Sequence, residues 1–268
     1  GLKDPFRYMK KLLNKDLRLT IVRIIRKAKE GHIPSSFSIV DILDYLYGNV
    51  LNISPENFNS DNRDYFVLSK GHAAAALFAV LNKYNFINND ILESYAQSKS
   101  ILGGHPDLTK VDGVEASTGS LGHGFPTAVG IAFGLKIKNR KNKVISLLGD
   151  GECHEGTIWE AANIGANLKL NNLKIVVDRN KSAQQLMPIE NMEKKWSAFG
   201  WNTHIFDGHE KESIKEAFSK EFDNEKPTAL IADTIKGKGV SFMEGHGKWH
   251  HKIPNDEDFL KIEKELSR

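Results

Sequence analysis

An aspartate held between two glycines, Gly149-Asp150-Gly151, closes the apolar run KVISLLG, and a second run, LKIVVD, ends in Arg179-Asn180, thirty positions after Asp150. A carboxylate and an amide oxygen are hard ligands for a small divalent cation. In a parallel α/β sheet, ligands gather beyond the carboxyl ends of the strands. The two glycines permit a tight turn and close approach of backbone N–H groups, and a helix expected from near Thr157 brings its positive end close. A diphosphate suits that place, yet a lone carboxylate would repel it, so a cation must lie between them. Asp150, Asn180, one backbone carbonyl just beyond, expected from Ser182, two phosphate oxygens and a water complete the octahedron that magnesium prefers. Calcium or manganese are the expected substitutes. GDG alone is a commonplace turn, whereas the pair at this spacing, each behind a strand, is far more specific. No GxGxxG joins an early strand to a helix, which disfavours a dinucleotide.

The elements that must position these residues are legible as patterns. Helical spacing of apolar residues runs over 6–30 and stops at Gly31, and Ser38 is expected to open a second helix, IVDILDYLYGNVL. Strands are predicted at 65–69, 143–149, 173–178, 202–206 and 228–235, separated by helical stretches, with a last amphipathic helix over 255–268. Brief, continuously apolar strands alternating with helices predict an α/β fold, a mostly parallel sheet covered on both faces. Consecutive strands of a right-handed βαβ unit lie side by side, which brings Asp150 and Asn180 together.

The 268 residues, 40% hydrophobic and 26% charged, suffice for one large domain, with neither a repeat nor a dividing linker. A net charge of +3, with basic residues scattered, implies no nucleic-acid partner. No segment is long enough for a membrane span, and no export signal is visible. The single cysteine, Cys153, excludes an internal disulfide and points to a reducing compartment, the cytoplasm. The chain starts at Gly1 rather than methionine, which suggests a processed start.

GDG followed about thirty residues on by Asn is the thiamin diphosphate motif. The words GDGECHEGTIWEAANIGANLKLNNLKIVVDRN, SKGHAAAALFAVL, GGHPDL, STGSLGHG and GKGVSFMEGHGKWHHKIP make the chain similar to the N-terminal half of the transketolase family. The resemblance implies the thiamin-diphosphate-binding fold, with residues 1–268 as a single diphosphate-binding domain. It implies thiamin diphosphate and Mg²⁺ as cofactors and transfer of a two-carbon ketol unit from a ketose donor to an aldose acceptor. The pyrimidine-binding half, with the glutamate that activates the cofactor, and the C-terminal domain are expected on a second polypeptide. A heterotetramer with two copies of each chain follows, inactive without that partner.

By the same resemblance His72 and His250 lie near the diphosphate and the reacting carbon, while His32 and His105 contact the donor's hydroxyls and carbonyl. Imidazole suits this work because it donates and accepts protons near neutral pH. His251 is the competing choice for His250. Gly119 and Leu121 match positions that pack against the cofactor rings, with Thr118 or Ser120 as a helix cap the plainer reading. Gly149, Gly151 and Glu155 complete the expected cofactor-binding set, Glu155 as a carboxylate at the contact between chains near the cofactor sites. Cys153 beside His154 is not expected to act as a nucleophile, since sequence neighbours seldom converge.

Three departures from the family pattern fall beside the substrate channel and metal loop: His123 where glutamine is usual, IPSS after His32, and 181–190. They leave the donor open to an unusual ketose or a keto acid. Another thiamin diphosphate carboligase, or a non-catalytic cofactor-binding partner, are the alternatives.

Overall fold

The computed structural model describes residues 12–184, 187–245 and 247–267. The first helix, α1 (Lys15–Ala28), ends at Lys29 in the left-handed conformation, ahead of Gly31. Residues 6–11 of the predicted helix lie outside the described residues. Next come α2 (Ile33–Phe37) and α3 (Val40–Tyr45), the latter running into a π turn at Leu46–Val50. Ser38 does not open a helix as expected. It closes α2, and its hydroxyl donates to Asp178 Oδ2 at 2.7 Å. A long-range carboxylate competes successfully for a side chain that propensity alone assigns to a cap.

The chain continues through β1 (Tyr65–Leu68), α4 (Ala74–Lys83), α5 (Asn89–Glu93), α6 (Gly124–Ile137), β2 (Val144–Gly149), α7 (Gly156–Asn167) and β3 (Leu173–Arg179). It closes with α8 (Met192–Ala198), β4 (Asn202–Asp207), α9 (Lys211–Ser219), β5 (Thr228–Asp233) and α10 (Asp256–Leu266). The five strands pair in the order β1-β2-β3-β5-β4, all parallel. Each predicted strand is present within one or two residues. The last helix begins with a capping box in which Asn255 and Asp258 satisfy each other's backbone N–H groups.

Both faces of the sheet are buried, which explains why the strands read as unbroken apolar runs. Ile145, Leu147, Val176 and Leu230 join one core with α1 to α4, α9 and α10. Val144, Leu148, Ile175, Val177 and Ile231 join the other, with α6, α7, α8 and a cluster of Trp196, Trp201 and Phe125. Among the described residues no helix is long and apolar enough to cross a membrane. With both faces filled, the ends of the strands are what the fold leaves for a ligand.

Candidate functional site at the strand ends

β2 and β3 are direct neighbours, with Gly149 opposite Asp178, so the residues that follow them leave the sheet together. Asp150 Oδ1 accepts the Gly151 N–H at 2.7 Å, and Oδ2 accepts the Lys181 N–H at 2.7 Å. Burial, and next the charge of Asp178, push the Asp150 carboxyl up to about 6. Asp178 is fully buried, and burial alone would raise it as well. Lys70, which donates to its Oδ2 at 2.6 Å, holds it below the usual carboxylate range, helped by Thr234 and Ser38. Lys70 therefore neutralises Asp178 and leaves Asp150 facing backbone N–H groups.

Asn180 is aimed by the same knot. Its Nδ2 donates to Asp178 Oδ2 at 2.8 Å, and its Oδ1 accepts the Ser182 N–H at 3.0 Å. That oxygen has a second lone pair to offer. The buried Ser182 hydroxyl finds no hydrogen-bond partner among the described residues. Nor does any cluster of three His, Cys, Asp or Glu among them suffice to hold a metal alone. A cation here would need the mixed set of carboxylate, amide, carbonyl and phosphate oxygens.

The glycines fit a guest. Neither Gly149 nor Gly151 has a positive φ, so the tight turn expected of them is not their reason. A Cβ at Gly151 would find its nearest neighbour at 3.7 Å and one at Gly149 at 3.9 Å, ordinary contacts with room to spare. The positions tolerate a side chain as far as the protein is concerned, which agrees with a space kept for a ligand. A 3₁₀ turn over Gly151–His154 separates Asp150 from α7, which starts at Gly156 rather than Thr157.

Histidines from distant segments gather close by. The ring of His32 lies 5.2 Å from His72, 5.4 Å from His250 and 4.7 Å from His251, edge-on in each case. His72 Nε2 is 2.8 Å from the Ser35 hydroxyl, and Lys236 Nζ donates to His250 Nδ1 at 2.6 Å. His105 packs on Gly119, whose φ is +155° and where a Cβ would come within 2.9 Å of the His105 ring. Burial, then His251, His250, His105 and Lys236, hold His32 down at about 4. Burial and then Lys70 hold His72 at about 2, burial and then Lys236 lower His250, and burial with Lys70 brings Lys236 to about 8. Each group resists a proton because it is buried among other basic groups. Near neutral pH the imidazoles of His32, His72 and His250 are uncharged beside Lys236, a setting that favours an anion.

The remaining expected residues are placed less centrally. Leu121 is half-buried. Neither Thr118 nor Ser120 caps α6, whose first turn follows His123; the Thr118 hydroxyl donates to the Leu68 carbonyl at 2.7 Å. His123 is exposed, with Nδ1 3.1 Å from the Leu121 carbonyl. Glu155 is exposed at the N-cap of α7 without a side-chain cap bond, leaning on Gly122. Cys153 is buried, and burial pushes its thiol well above the usual range, which disfavours a reactive thiolate.

Lys70, Asp178, Lys236 and Glu152 escaped the sequence reading. Buried Glu152 accepts from the Ser69 hydroxyl at 2.5 Å and from the N–H groups of Gly122 and Gly149, tying three loops to one carboxylate. The visible signal was a charge inside an otherwise apolar word, as in FVLSKGHAAAA and IVVDRN.

The family of transketolase thiamine diphosphate binding domains matches residues 9–267. The chain is 40% identical over 256 residues to an apulose-4-phosphate transketolase subunit of Phocaeicola vulgatus, covering 93% of this chain and 91% of that one. It is 35% identical over 258 residues to a 6-deoxy-6-sulfo-D-fructose transketolase subunit of a Clostridium species, covering 94% of each. The crystal structure of transketolase from Campylobacter jejuni superposes with a TM-score of 0.86 at 30% identity, covering 94% of this chain and 41% of that chain. This chain thus spans about two fifths of a solved transketolase and nearly the whole of a relative that is named as one subunit of its enzyme.

Proposed function

Because the chain belongs to the transketolase family as its thiamine diphosphate-binding domain, we propose that it is the diphosphate-binding subunit of a two-chain, magnesium-dependent transketolase. The observation that carries this reading is the coverage: an almost end-to-end match to relatives named as single transketolase subunits, beside a two-fifths match to a solved transketolase chain. Residues 1–268 are then one diphosphate-binding domain. The pyrimidine-binding domain and its activating glutamate reside on the partner, and the assembly holds two copies of each chain. The single, buried Cys153 supports a reducing compartment, and the cytosol is the proposed setting.

Asp150, Asn180 and the Ser182 carbonyl would hold the magnesium, and Gly149 and Gly151 would let the diphosphate approach the backbone. When bound, thiamin diphosphate supplies a nucleophilic carbon and an electron sink for C–C cleavage. The chain's own part is to bind, orient and move protons. Lys236, as donor to His250 Nδ1, leaves the neutral ring's proton on Nε2, so His250 presents a donor to a developing oxyanion. His32 and His105 face the donor's hydroxyls, and the depressed affinity of His32 for protons keeps it neutral and able to accept at neutral pH. His72, fixed by Ser35, stands near the diphosphate with Gly119 and Leu121 against the rings, and Glu155 at the contact between chains. The substrates are small sugars. The unusual sugars in the names of its relatives, apulose 4-phosphate and 6-deoxy-6-sulfo-D-fructose, make branched or modified ketoses the first donors to try.

The test is a ketol-transfer assay of this chain with thiamin diphosphate and magnesium, with and without the second polypeptide, screening ketoses against aldehydes by mass spectrometry. Turnover is expected only when both chains are present. Robust turnover by residues 1–268 alone would overturn the split-site reading.

A further inference from the structure

The two adjacent histidines of KWHHK are in different situations. The His250 ring is engaged through Nδ1 by Lys236, whereas His251 turns outward. Its ring is the nearest of the three to His32, at 4.7 Å, and its Nε2 faces Glu30 Oε1 at 3.9 Å. Both side chains are about half exposed, at 53% and 47%. Glu30 also leans over Gly104, where a Cβ would come within 3.3 Å of Oε1, beside His105. Glu30, Gly104, His105 and His251 therefore lie together beside His32 on the half-exposed side of the cluster.

The 3.9 Å gap between Nε2 and Oε1 is too long for a direct hydrogen bond and suits one oxygen set about 2.8 Å from each. With the ring proton on Nε2, that oxygen accepts from it and donates to the carboxylate. A hydroxyl does both at once. A phosphate, sulfonate, carboxylate or carbonyl oxygen has no proton for Glu30, and a methylene has neither function. We propose that His251 and Glu30 form a hydroxyl-reading clamp at the mouth of the histidine cluster, making His251 a specificity-determining residue for a polyhydroxylated donor. This rests on the transketolase reading and adds to it the outer hydroxyl that the site selects. Any charged terminus of the donor then lies away from Glu30.

The experiment uses the assembled two-chain enzyme with thiamin diphosphate and magnesium. Wild type, His251→Ala, His251→Asn and Glu30→Gln are compared on a three-carbon ketose too short to reach the rim and on longer ketoses with their monodeoxy analogues. Wild type is expected to prefer the hydroxylated donor over the analogue deoxygenated at one particular carbon roughly 10- to 100-fold in kcat/KM, the range for a hydrogen bond to a charged group. His251→Ala should shrink that preference to under about threefold, mainly through KM, and lose at least roughly tenfold more kcat/KM on the longer ketose than on the short one. His251→Asn, which keeps a donor, should restore part of it, and Glu30→Gln should fall between. Equal losses on short and long donors would mark His251 as merely structural and overturn the proposal, as would unchanged deoxy discrimination in all variants. If wild type itself turns over no ketose, the transketolase reading falls first and takes the clamp with it.

Discussion

The knot at the tips of β2 and β3 and the histidine rim next to it are assembled in opposite ways. Asp150, Asp178 and Asn180 come from one βαβ unit, and the sheet register sets their backbones side by side. Their polar atoms are held by close hydrogen bonds, from Lys70, Ser38, Thr234 and backbone N–H groups. His32, His72, His105 and His250 arrive from four separate segments, meeting through edge-on ring contacts at His32, single hydrogen bonds to His72 and His250, and the packing of His105 on Gly119. A multivalent ion demands fixed oxygen positions, which a strand pair supplies. A sugar that must enter, react and leave is better served by groups on loops carried by that frame.

The strongest way to break this contrast is to attack the frame. Lys70→Met would leave Asp178, which has no exposed surface, without its cation, and uncompensated buried charges of this kind cost about 3–5 kcal/mol. Urea denaturation of the chain should report a loss in that range, with more than half recovered in Lys70→Met/Asp178→Asn. A loss below about 1 kcal/mol would show that the knot is not what holds these loops.

Asp150 sharpens the comparison, because its hydrogen bonds among the described residues come from backbone N–H groups rather than from a cationic side chain. Its folded-state carboxyl sits at about 6 against an ordinary 3.8, raised by burial first and Asp178 second. A group raised on folding contributes stability that is complete below the unfolded value and lost as pH climbs through the folded one. The free chain should therefore weaken between about pH 4 and pH 6 and carry the full cost above that. Asp150→Asn removes this titration but turns one of the two N–H-accepting oxygens into an amide NH2, so denaturation of the free chain should lose its dependence on pH between about 4 and 6. It should also weaken cofactor with magnesium roughly 100-fold in the assembled enzyme, about 2.7 kcal/mol. A flat pH profile in denaturation together with lost affinity in calorimetry is the expected pattern. A variant that loses stability without losing affinity would remove Asp150 from the metal site.

How much of this was readable follows the same division. The five strands, their parallel order around β2 and β3, and the Asp150/Asn180 pair are local consequences of apolar runs and of right-handed crossovers, so the sequence carries them openly. Ser38 misled because a cap is a local inference and its true partner, Asp178, is 140 positions away. Lys70 and Lys236 went unnoticed for a related reason. A lysine is ordinary in any surface loop, and only the packed structure shows Lys70 sealed beside Asp178 and Lys236 against His250. The histidines were found through family words, and those words located them without revealing that His251 lies closer to His32 than His250 does. Spacing along a chain encodes neighbours in a sheet well and encounters between loops poorly.

The smallest expected effect tests the glycines that frame Asp150. Gly151 has no positive φ, and a Cβ there would stand 3.7 Å from its nearest protein neighbour, so the fold itself gives alanine no reason to fail. Removing a glycine's freedom in the unfolded chain favours folding where the backbone is compatible, by about 0.4–1 kcal/mol. Gly151→Ala should thus leave denaturation of the free chain neutral or slightly more resistant. In the assembled enzyme the added methyl would occupy space next to the backbone where the diphosphate is proposed to approach, and affinity should fall several-fold, roughly 1 kcal/mol. The same substitution at Gly119 is a poor control, because there φ is +155° and the methyl would strike His105 within the protein itself. Of these two, Gly151 separates room kept for a guest from room the fold needs. Unchanged cofactor affinity in Gly151→Ala, measured by calorimetry, would place the diphosphate away from this turn and return its glycines to chance.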